Sequence, residues 1–376
     1  MSFFQNILSN VMKGTRRLNR FGLKSFGKLH KNINKAVDSV MATSGEVSSL
    51  VYAEHLLNLI EKQDDKNLKK FLKNLSSNYD IDTKALIKDA RAYSSDKNEQ
   101  NLQKIRLSSE PGWIELFRRL NSTSNGTYRL VRLRERIRSF NDNDLKAFDS
   151  GLLKLFKYWF NPSFLVLEKI EWETPANILE KIIEYEAVHE INSWDDLRAR
   201  LAPDDRQCFA FFHPLIPNDP LIFVEVALTT GVPDSIESII NLDRKEIEAD
   251  DANTAIFYSI SNCHNGLLGI SFGNFLIKKV ANNLKRELPD LNQFLTLSPL
   301  PGFMKWMEEY SPISFERCSE RNCDDEELFK NAVKYLTISE RKDGMPNDPV
   351  GRFHVGNGAS LERINLNADM SEKGLS

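Results

Sequence analysis

The stretch that decides the fold is residues 255–274, which read AIFYSISNCHNGLLGISFGN. Its first seven residues are nearly all apolar, which is typical of a strand at the centre of a sheet. Glycines follow at positions 266, 269 and 273, and apolar residues then recur at helical spacing through Leu284. A strand, a glycine loop and a helix in this order suit an anion, because helix amides point at it. A strand-to-helix turn that needs glycine for backbone reasons alone explains the pattern equally well, since the spacing matches neither the Walker nor the dinucleotide motif.

The chain around this segment alternates strands with helices. Strands are predicted at 164–172, Cys208–His213, Leu221–Thr229 and 294–298, and helices at 175–186 and from Ser193. Asn161-Pro162 ends the helical pattern that precedes it. The sequence therefore predicts an α/β domain over residues 159–376.

Before Phe160 the sequence predicts helices alone. Apolar residues recur at helical spacing in seven segments: 45–62, 65–76, 83–95, 98–108, 111–121, 127–140 and 142–159. Residues 1–158 are therefore expected to form an antiparallel helical bundle, so the fold class is α+β. The bundle contains an arginine cluster, for which a solvated helix face or a subunit contact is favoured over an anionic ligand. Its members are Arg129, Arg132, Arg134, Arg136 and Arg138.

Charge and composition exclude several classes of protein. The 376 residues include 50 Lys and Arg against 53 Asp and Glu, so no nucleic-acid partner is expected. No apolar run reaches ~18 residues, so no membrane span is expected. Four cysteines suit a reducing compartment, and a cytoplasmic location is predicted. The basic stretch 1–37 leaves two alternatives, a first bundle helix or a mitochondrial transit peptide.

Several longer strings make the sequence resemble the malonyl-CoA decarboxylases. They are Glu186-Ala-Val-His189, 255–261, 266–273, Phe275-Leu-Ile-Lys278, Leu297-Ser-Pro-Leu-Pro-Gly-Phe303 and Pro349-Val-Gly-Arg-Phe-His354, which continues into Gly356-Asn-Gly-Ala. The resemblance implies a helical N-terminal domain for oligomerisation and a catalytic domain of the GCN5-related acetyltransferase fold with a mixed sheet. It also implies a homo-oligomer, a dimer or tetramer, that converts malonyl-CoA into acetyl-CoA and carbon dioxide.

The resemblance also supplies a ligand for the glycine loop. The pyrophosphate of coenzyme A is expected there, and because coenzyme A is part of the substrate, no separate cofactor is expected. The substrate-binding residues that follow are Leu268, Gly269, Ile270, Ser271, Phe272, Gly273, Asn274 and Asn357.

The family has a catalytic serine and a catalytic histidine, and the matching strings imply that Ser298 and His354 are these residues here. Loss of carbon dioxide leaves a thioester enolate whose carbon needs a proton, and an acid of neutral range suits histidine. A hydroxyl near the malonyl carboxylate can hold it perpendicular to the thioester plane. From local sequence alone, Ser298 is better explained as satisfying a backbone group before Pro299, and His354 as a structural histidine.

Other chemistries are not favoured. Ser298 lacks a Gly-x-Ser-x-Gly setting, which argues against a hydrolase nucleophile. Cys318 and Cys323 have no second pair at ligand spacing, so no metal is expected. His189 and His213 are expected to be structural.

Two departures from the family pattern keep alternatives open. Relatives commonly carry glutamate where this chain has Ser271, and they continue past residue 375 into a further strand, so a final strand is expected to be lacking. The alternatives are an acyl-CoA-dependent transferase and an inactive CoA-binding protein. Residues 311–348 are expected to form a loop and one helix that lead back to His354.

Overall fold

The computed structural model describes residues 29–319, 324–338, 341–371 and 373–374. Most of the basic N-terminal stretch, with the transit peptide that is one of its interpretations, lies outside these residues. Cys323 lies outside them as well. Two compact units can be distinguished. The first contains the described residues up to 166 with 212–220 and 264–270, and the second contains 167–211, 221–263 and the described residues from 271 onward.

The first unit is helical. Its helices are α1 (Ile33–Ala42), α2 (Glu46–Glu61), α3 (Asp65–Asn78), α4 (Thr83–Ser95), α5 (Glu99–Ser108), α6 (Gly112–Asn121), α7 (Gly126–Ser139) and α8 (Lys146–Trp159). All seven segments predicted between 45 and 159 are confirmed as helices. Side-chain oxygens begin several of them: Asp64 accepts a hydrogen bond from the amide of Asn67, and Asp82 from those of Lys84 and Ala85.

The core of the first unit is apolar and aromatic. Trp113 on α6 contacts Phe117 on the same helix and Phe148 on α8, with ring centroids 5.8 and 4.5 Å away. Phe117 and Phe148 are fully buried. The helical spacing of these residues therefore marks the faces that the helices bury.

A five-stranded mixed sheet follows in the order β1-β2-β3-β4-β5. The strands are β1 (Val166–Ile170), β2 (Arg206–Phe212), β3 (Ile222–Thr229), β4 (Thr254–Asn262) and β5 (Gln293–Thr296). β2 pairs antiparallel with β3 and β3 with β4, whereas β4 pairs parallel with β5. The α+β class is confirmed, and the apolar strand at 255–261 has a neighbour on each side, as its composition predicts.

The sheet connects to helices α9 (Ala176–Tyr185), α10 (Trp194–Leu201), α11 (Glu237–Ile240) and α12 (Gly273–Glu287). After β5 come α13 (Phe303–Tyr310), α14 (Pro312–Ser319), α15 (Asp325–Thr337) and α16 (Pro349–Gly356). None of the helices in the described ranges is both long and apolar enough to cross a membrane.

The expectation of a single helix between 311 and 348 is wrong. The structure has two there, α14 and α15, because both contribute to an apolar cluster that the charged composition of this segment conceals. Phe303, Met307, Ala332 and Tyr335 form the buried part of that cluster, and Phe315 of α14 packs against it. A further helix, α16, carries His354 in a stretch for which no helix was predicted.

Replacing Gly266 with alanine is expected to destabilise the first unit. A Cβ at this position would overlap with the carbonyl oxygen of Val131 in α7, and a backbone atom cannot rotate away. Overpacking of this kind typically costs about 1–3 kcal/mol, which urea unfolding measures. Gly231→Ala is the control, since an added Cβ there meets no atom within 4 Å. Equal unfolding midpoints for the two variants would contradict the packing argument.

Candidate active site

Ser298 and His354 lie in contact in the second unit. The distance from the Ser298 hydroxyl oxygen to Nε2 of the His354 ring is 3.1 Å, within hydrogen-bond range. Both side chains are half-buried. Ser298 follows β5, where the amide of Leu297 donates to the carbonyl of Phe257 on β4 at 3.1 Å. The structure therefore brings together the two residues that the sequence motifs single out, although they are 56 positions apart.

His354 lies in the last turn of α16, a helix of eight residues. Asp348 caps its start by accepting a hydrogen bond of 2.7 Å from the amide of Gly351, and Pro349 occupies the first turn. The Arg352 guanidinium donates to the carbonyls of Pro346 and Asn347, both at 3.0 Å. Short helices depend on such end contacts, because few of their own hydrogen bonds are formed.

The segment after α16 is tied to the same histidine. The amides of Asn357 and Ala359 donate to the carbonyl of His354 at 3.0 and 3.1 Å, and Gly358 between them has a φ of 91°. This left-handed conformation favours glycine. The Asn-Gly-Ala string therefore ends the helix, and it keeps Asn357 beside His354.

Two glycines permit close packing around this helix. A Cβ at Gly302 would overlap with the hydroxyl of Tyr335, and that hydroxyl donates to Asp348 at 2.9 Å. A Cβ at Gly273 would lie 2.8 Å from the ring of Phe353. Gly302 therefore admits the Tyr335 side chain at the start of α16, and Gly273 admits the Phe353 side chain of α16 itself.

The environment of His354 favours its neutral form. Burial lowers the pKa of its imidazole from the ordinary value of about 6.5, and the carboxylate of Asp348 opposes this shift. For Tyr335, burial and the hydrogen bond to Asp348 raise the pKa well above its usual range. The imidazole can therefore accept a hydrogen bond from Ser298 at neutral pH.

The glycine loop divides between the two units. Its first part, with Leu268, Gly269 and Ile270, belongs to the first unit. There the fully buried Arg134 donates to the carbonyls of Gly266 and Leu268 at 2.7 and 2.9 Å. Gly269 has a φ of 93°. Gly266 and Gly269 thus have backbone reasons for being glycine.

The second part of the loop begins α12 in the second unit. Ser271 is exposed, Phe272 is buried, and Gly273 and Asn274 form the first turn. No side chain caps this helix among the residues that the structure describes. The Oδ1 atom of Asn274 is buried without a hydrogen-bond partner in the described part of the chain. Uncapped amides at a helix start suit an anion.

The arginine cluster takes part in ion pairs within the chain, and two of its members, Arg132 and Arg138, are exposed as a solvated helix face predicts. Each member makes an ion pair within the chain: Arg129 with Glu54 and Glu61, Arg132 with Glu135, Arg134 and Arg138 with Asp149, and Arg136 with Asp65. Arg134 is 0% exposed and also holds the glycine loop. Sequence reasoning missed this role because it groups residues by neighbourhood along the chain.

Glu186, which begins the Glu-Ala-Val-His string, lies in a second cluster of buried polar side chains. The Glu186 carboxylate accepts from the amides of Val188 and His189 and from the hydroxyl of Ser259, all at 2.8 Å. Arg200 pairs with the buried Glu225 on β3 at 3.1 Å. Burial, aided by the nearby Glu186, raises the pKa of Glu225 to about 7. These contacts hold the backbone after α9 against the sheet.

Other candidates have structural explanations. The ring of His213 lies 3.1 Å from the carbonyl of Trp159 and accepts from the amide of Leu215. Within the described residues, no group of three or more His, Cys, Asp and Glu side chains could hold a metal ion.

Comparison with known families gives matches along most of the chain. Residues 79–160 match the profile of the malonyl-CoA decarboxylase N-terminal domain, and residues 163–327 and 314–376 match that of the C-terminal domain. The mitochondrial malonyl-CoA decarboxylase of Anser anser anser is 33% identical over 72% of this chain and 63% of its own length. The match therefore spans less than two thirds of that curated relative.

Solved structures of malonyl-CoA decarboxylases also match this chain, and the match covers a larger share of their length than of the curated relative's. The malonyl-CoA decarboxylase of Agrobacterium vitis is 43% identical with a TM-score of 0.85, and that of Rhodopseudomonas palustris is 41% identical with a TM-score of 0.84. In each case the match covers 91% of this chain and 89% of the other.

The imidazole of His354 is expected to titrate below pH 6.5, because burial lowers its pKa. Its ring resonances, followed by NMR and assigned by their loss in His354→Gln, measure the value. The fold favours the neutral ring, so the corresponding stability is present above pH 6.5 and is lost as the pH falls through the folded-state pKa. A measured value at or above 6.5 would show that burial does not control this ring.

Proposed function

The chain belongs to the malonyl-CoA decarboxylase family, and we propose that it converts malonyl-CoA and a proton into acetyl-CoA and carbon dioxide. The observation that carries this proposal is the 3.1 Å contact between the Ser298 hydroxyl and His354 Nε2. Each residue lies in a string by which the sequence resembles the family. A hydroxyl and an imidazole at this distance can act on one malonyl group together, the hydroxyl on its carboxylate and the imidazole on its methylene carbon.

In the first step the bond between the malonyl carboxylate and the methylene carbon breaks. Carbon dioxide leaves, and the electron pair enters the thioester as an enolate. Ser298 donates a hydrogen bond to the carboxylate before the bond breaks and holds it perpendicular to the thioester plane, where the breaking bond overlaps best with the carbonyl. Its half-buried position beside His354 keeps that carboxylate close to the imidazole.

In the second step the methylene carbon takes a proton from Nε2 of the His354 imidazolium, which gives acetyl-CoA. The ring then regains a proton from solvent, so the overall reaction consumes one proton. In the free protein, burial favours the neutral ring. The anionic malonyl carboxylate favours the charged ring once it is bound, because opposite charges within a few ångströms stabilise each other.

Within the second unit, the coenzyme A part of the substrate is proposed to bind at residues 271–274, with Asn357 on the wall beside His354. The uncapped first turn of α12, with the buried Oδ1 of Asn274, supports an anionic ligand there. Coenzyme A enters as part of the substrate, so the proposed reaction uses it without a separate cofactor. Gly273 also packs against Phe353, and this contact connects the proposed pyrophosphate segment with the helix of His354.

Replacing His354 with glutamine is expected to lower kcat by about 10²–10⁴-fold, the usual contribution of a positioned acid. Ser298→Ala is expected to reduce kcat as well, because the carboxylate loses its orienting donor. Release of acetyl-CoA and carbon dioxide by the purified chain measures both. His55→Gln and Ser95→Ala are matched controls, since these side chains donate to backbone carbonyls of the helical unit, away from Ser298 and His354 in the second unit.

An unchanged rate in His354→Gln would contradict the proposed mechanism. Acetyl transfer to an amine without decarboxylation would favour the acyl-CoA-dependent transferase. Binding of coenzyme A without turnover would favour the inactive CoA-binding protein.

The pH profile provides a separate check. Because the protonated imidazole is the donor, kcat/KM is expected to fall as the pH rises through the lowered pKa of His354 in the free protein. The corresponding fall in kcat is expected at higher pH, since bound substrate favours the charged ring. A value of kcat/KM that rises with pH through this range would identify the imidazole as a base instead.

A further inference from the structure

The Asp348 carboxylate is completely buried at the N-cap of α16, directly before the first helical residue and six positions before His354. It accepts hydrogen bonds from the Gly351 amide at 2.7 Å and from the Tyr335 hydroxyl at 2.9 Å. Both donors are uncharged in the native protein. Burying a carboxylate is unfavourable, even with hydrogen bonds, compared with leaving it in water. A function that needs the charge would explain why an acid occupies this position.

The helix between Asp348 and His354 is too short to fix the histidine by itself. Its eight residues make about two turns, and helices of this length are marginal without other contacts. The orientation of the imidazole therefore depends on how the N-cap residue, Asp348, is held. Arg352 supports the same end by binding the carbonyls of Pro346 and Asn347.

Tyr335 connects this end to the loop that carries Ser298. Its hydroxyl donates to Asp348 and lies against Gly302, four residues after Ser298. The loop and the helix therefore meet at two points, one at the Ser298–His354 hydrogen bond and one at Gly302, Tyr335 and Asp348. Two points of contact fix the relative position of two segments better than one.

We propose that Asp348 is the positioning residue for His354, and this rests on the decarboxylation proposed above. Its carboxylate holds α16 so that Nε2 faces the Ser298 hydroxyl, and its charge favours the protonated ring that donates to the enolate carbon. Among the residues that the structure describes, Arg352 and Tyr335 are two further titratable groups with contacts at this end of the helix, and Asp348 is the charged group that acts on the imidazole. The Arg352 guanidinium is bound to carbonyls, and Tyr335 stays protonated. Asp348 is therefore the group that supplies negative charge.

Asp348→Asn removes the charge and leaves one acceptor oxygen, so the amide nitrogen that replaces the second oxygen cannot accept from the Tyr335 hydroxyl. Tyr335→Phe removes that hydrogen bond alone, and comparing the two variants isolates the effect of the charge. Asparagine is as good a helix cap as aspartate, so the hydrogen bond to Gly351 is kept while the charge is lost. We expect the pKa of His354 to fall below its wild-type value and the limb of the kcat/KM profile to move to lower pH. We expect kcat to drop between about 10- and 100-fold, the cost of a misplaced catalytic group. KM is expected to stay within about twofold of the wild type, because the lost interaction acts in the transition state.

Tyr335→Phe tests the second point of contact. It removes one hydroxyl, leaves the charge and the helix cap in place, and is expected to lower kcat with little change in KM. Matched controls delete the same groups elsewhere. Asp64→Asn changes the residue that caps α3, whose carboxylate accepts from the Asn67 amide at 2.8 Å. Tyr79→Phe removes a hydroxyl that donates to Asp38 at 2.7 Å.

Steady-state kinetics from pH 5 to 9, NMR titration of His354 and thermal unfolding complete the experiment. The proposal is overturned if Asp348→Asn and Tyr335→Phe match their controls in kcat and Asp348→Asn keeps the wild-type His354 pKa. It is also overturned if both variants lose only stability. Should Asp348→Asn fail to fold, Tyr335→Phe decides. If the wild type does not decarboxylate malonyl-CoA, the proposed function fails, while the NMR titration still tests the link between Asp348 and His354.

Discussion

A helix of two turns does not hold a side chain in place through its own hydrogen bonds, and His354 lies at the far end of such a helix. The hydrogen bond from Tyr335 to Asp348 holds the start of this helix through a residue that lies outside it. Through Asp348 it fixes the first turn, and through Gly302 it connects that turn to the loop of Ser298. Two further contacts support the orientation of His354 that this bond makes possible. Arg352 donates to the carbonyl of Pro346 before the helix, and the amide of Ala359 donates to the carbonyl of His354.

The glycines illustrate how one motif can combine several physical requirements. Gly266 admits the carbonyl of Val131, Gly269 adopts a positive φ, and Gly273 admits the ring of Phe353. Close packing and backbone conformation therefore explain these glycines without a ligand. The argument for an anion depends instead on the uncapped start of α12 and on the unpartnered Oδ1 of Asn274.

Much of this arrangement follows from the sequence. Helical spacing of apolar residues predicted the seven helices between 45 and 159, and the apolar run at 255–261 predicted the central strand. Contacts between distant residues did not follow. Arg134 lies 132 positions before Gly266, and no local pattern connects a buried guanidinium with two carbonyls. Two helices, α14 and α15, lie where one was expected, because acidic and basic residues conceal their apolar faces. The homo-oligomer, the cytoplasmic location and the domain boundary at 158/159 stay predictions.

The family resemblance leads one to expect glutamate at position 271, where this chain has serine. The Ser271 side chain is exposed at the start of α12, where solvent would weaken the effect of any charge on an imidazole. Asp348 is fully buried, so its field is screened far less. If Asp348 positions His354 as we propose, the negative charge that favours the imidazolium already lies within the helix of the histidine. A glutamate at 271 is then not required for that purpose, and serine there is compatible with the proposed chemistry.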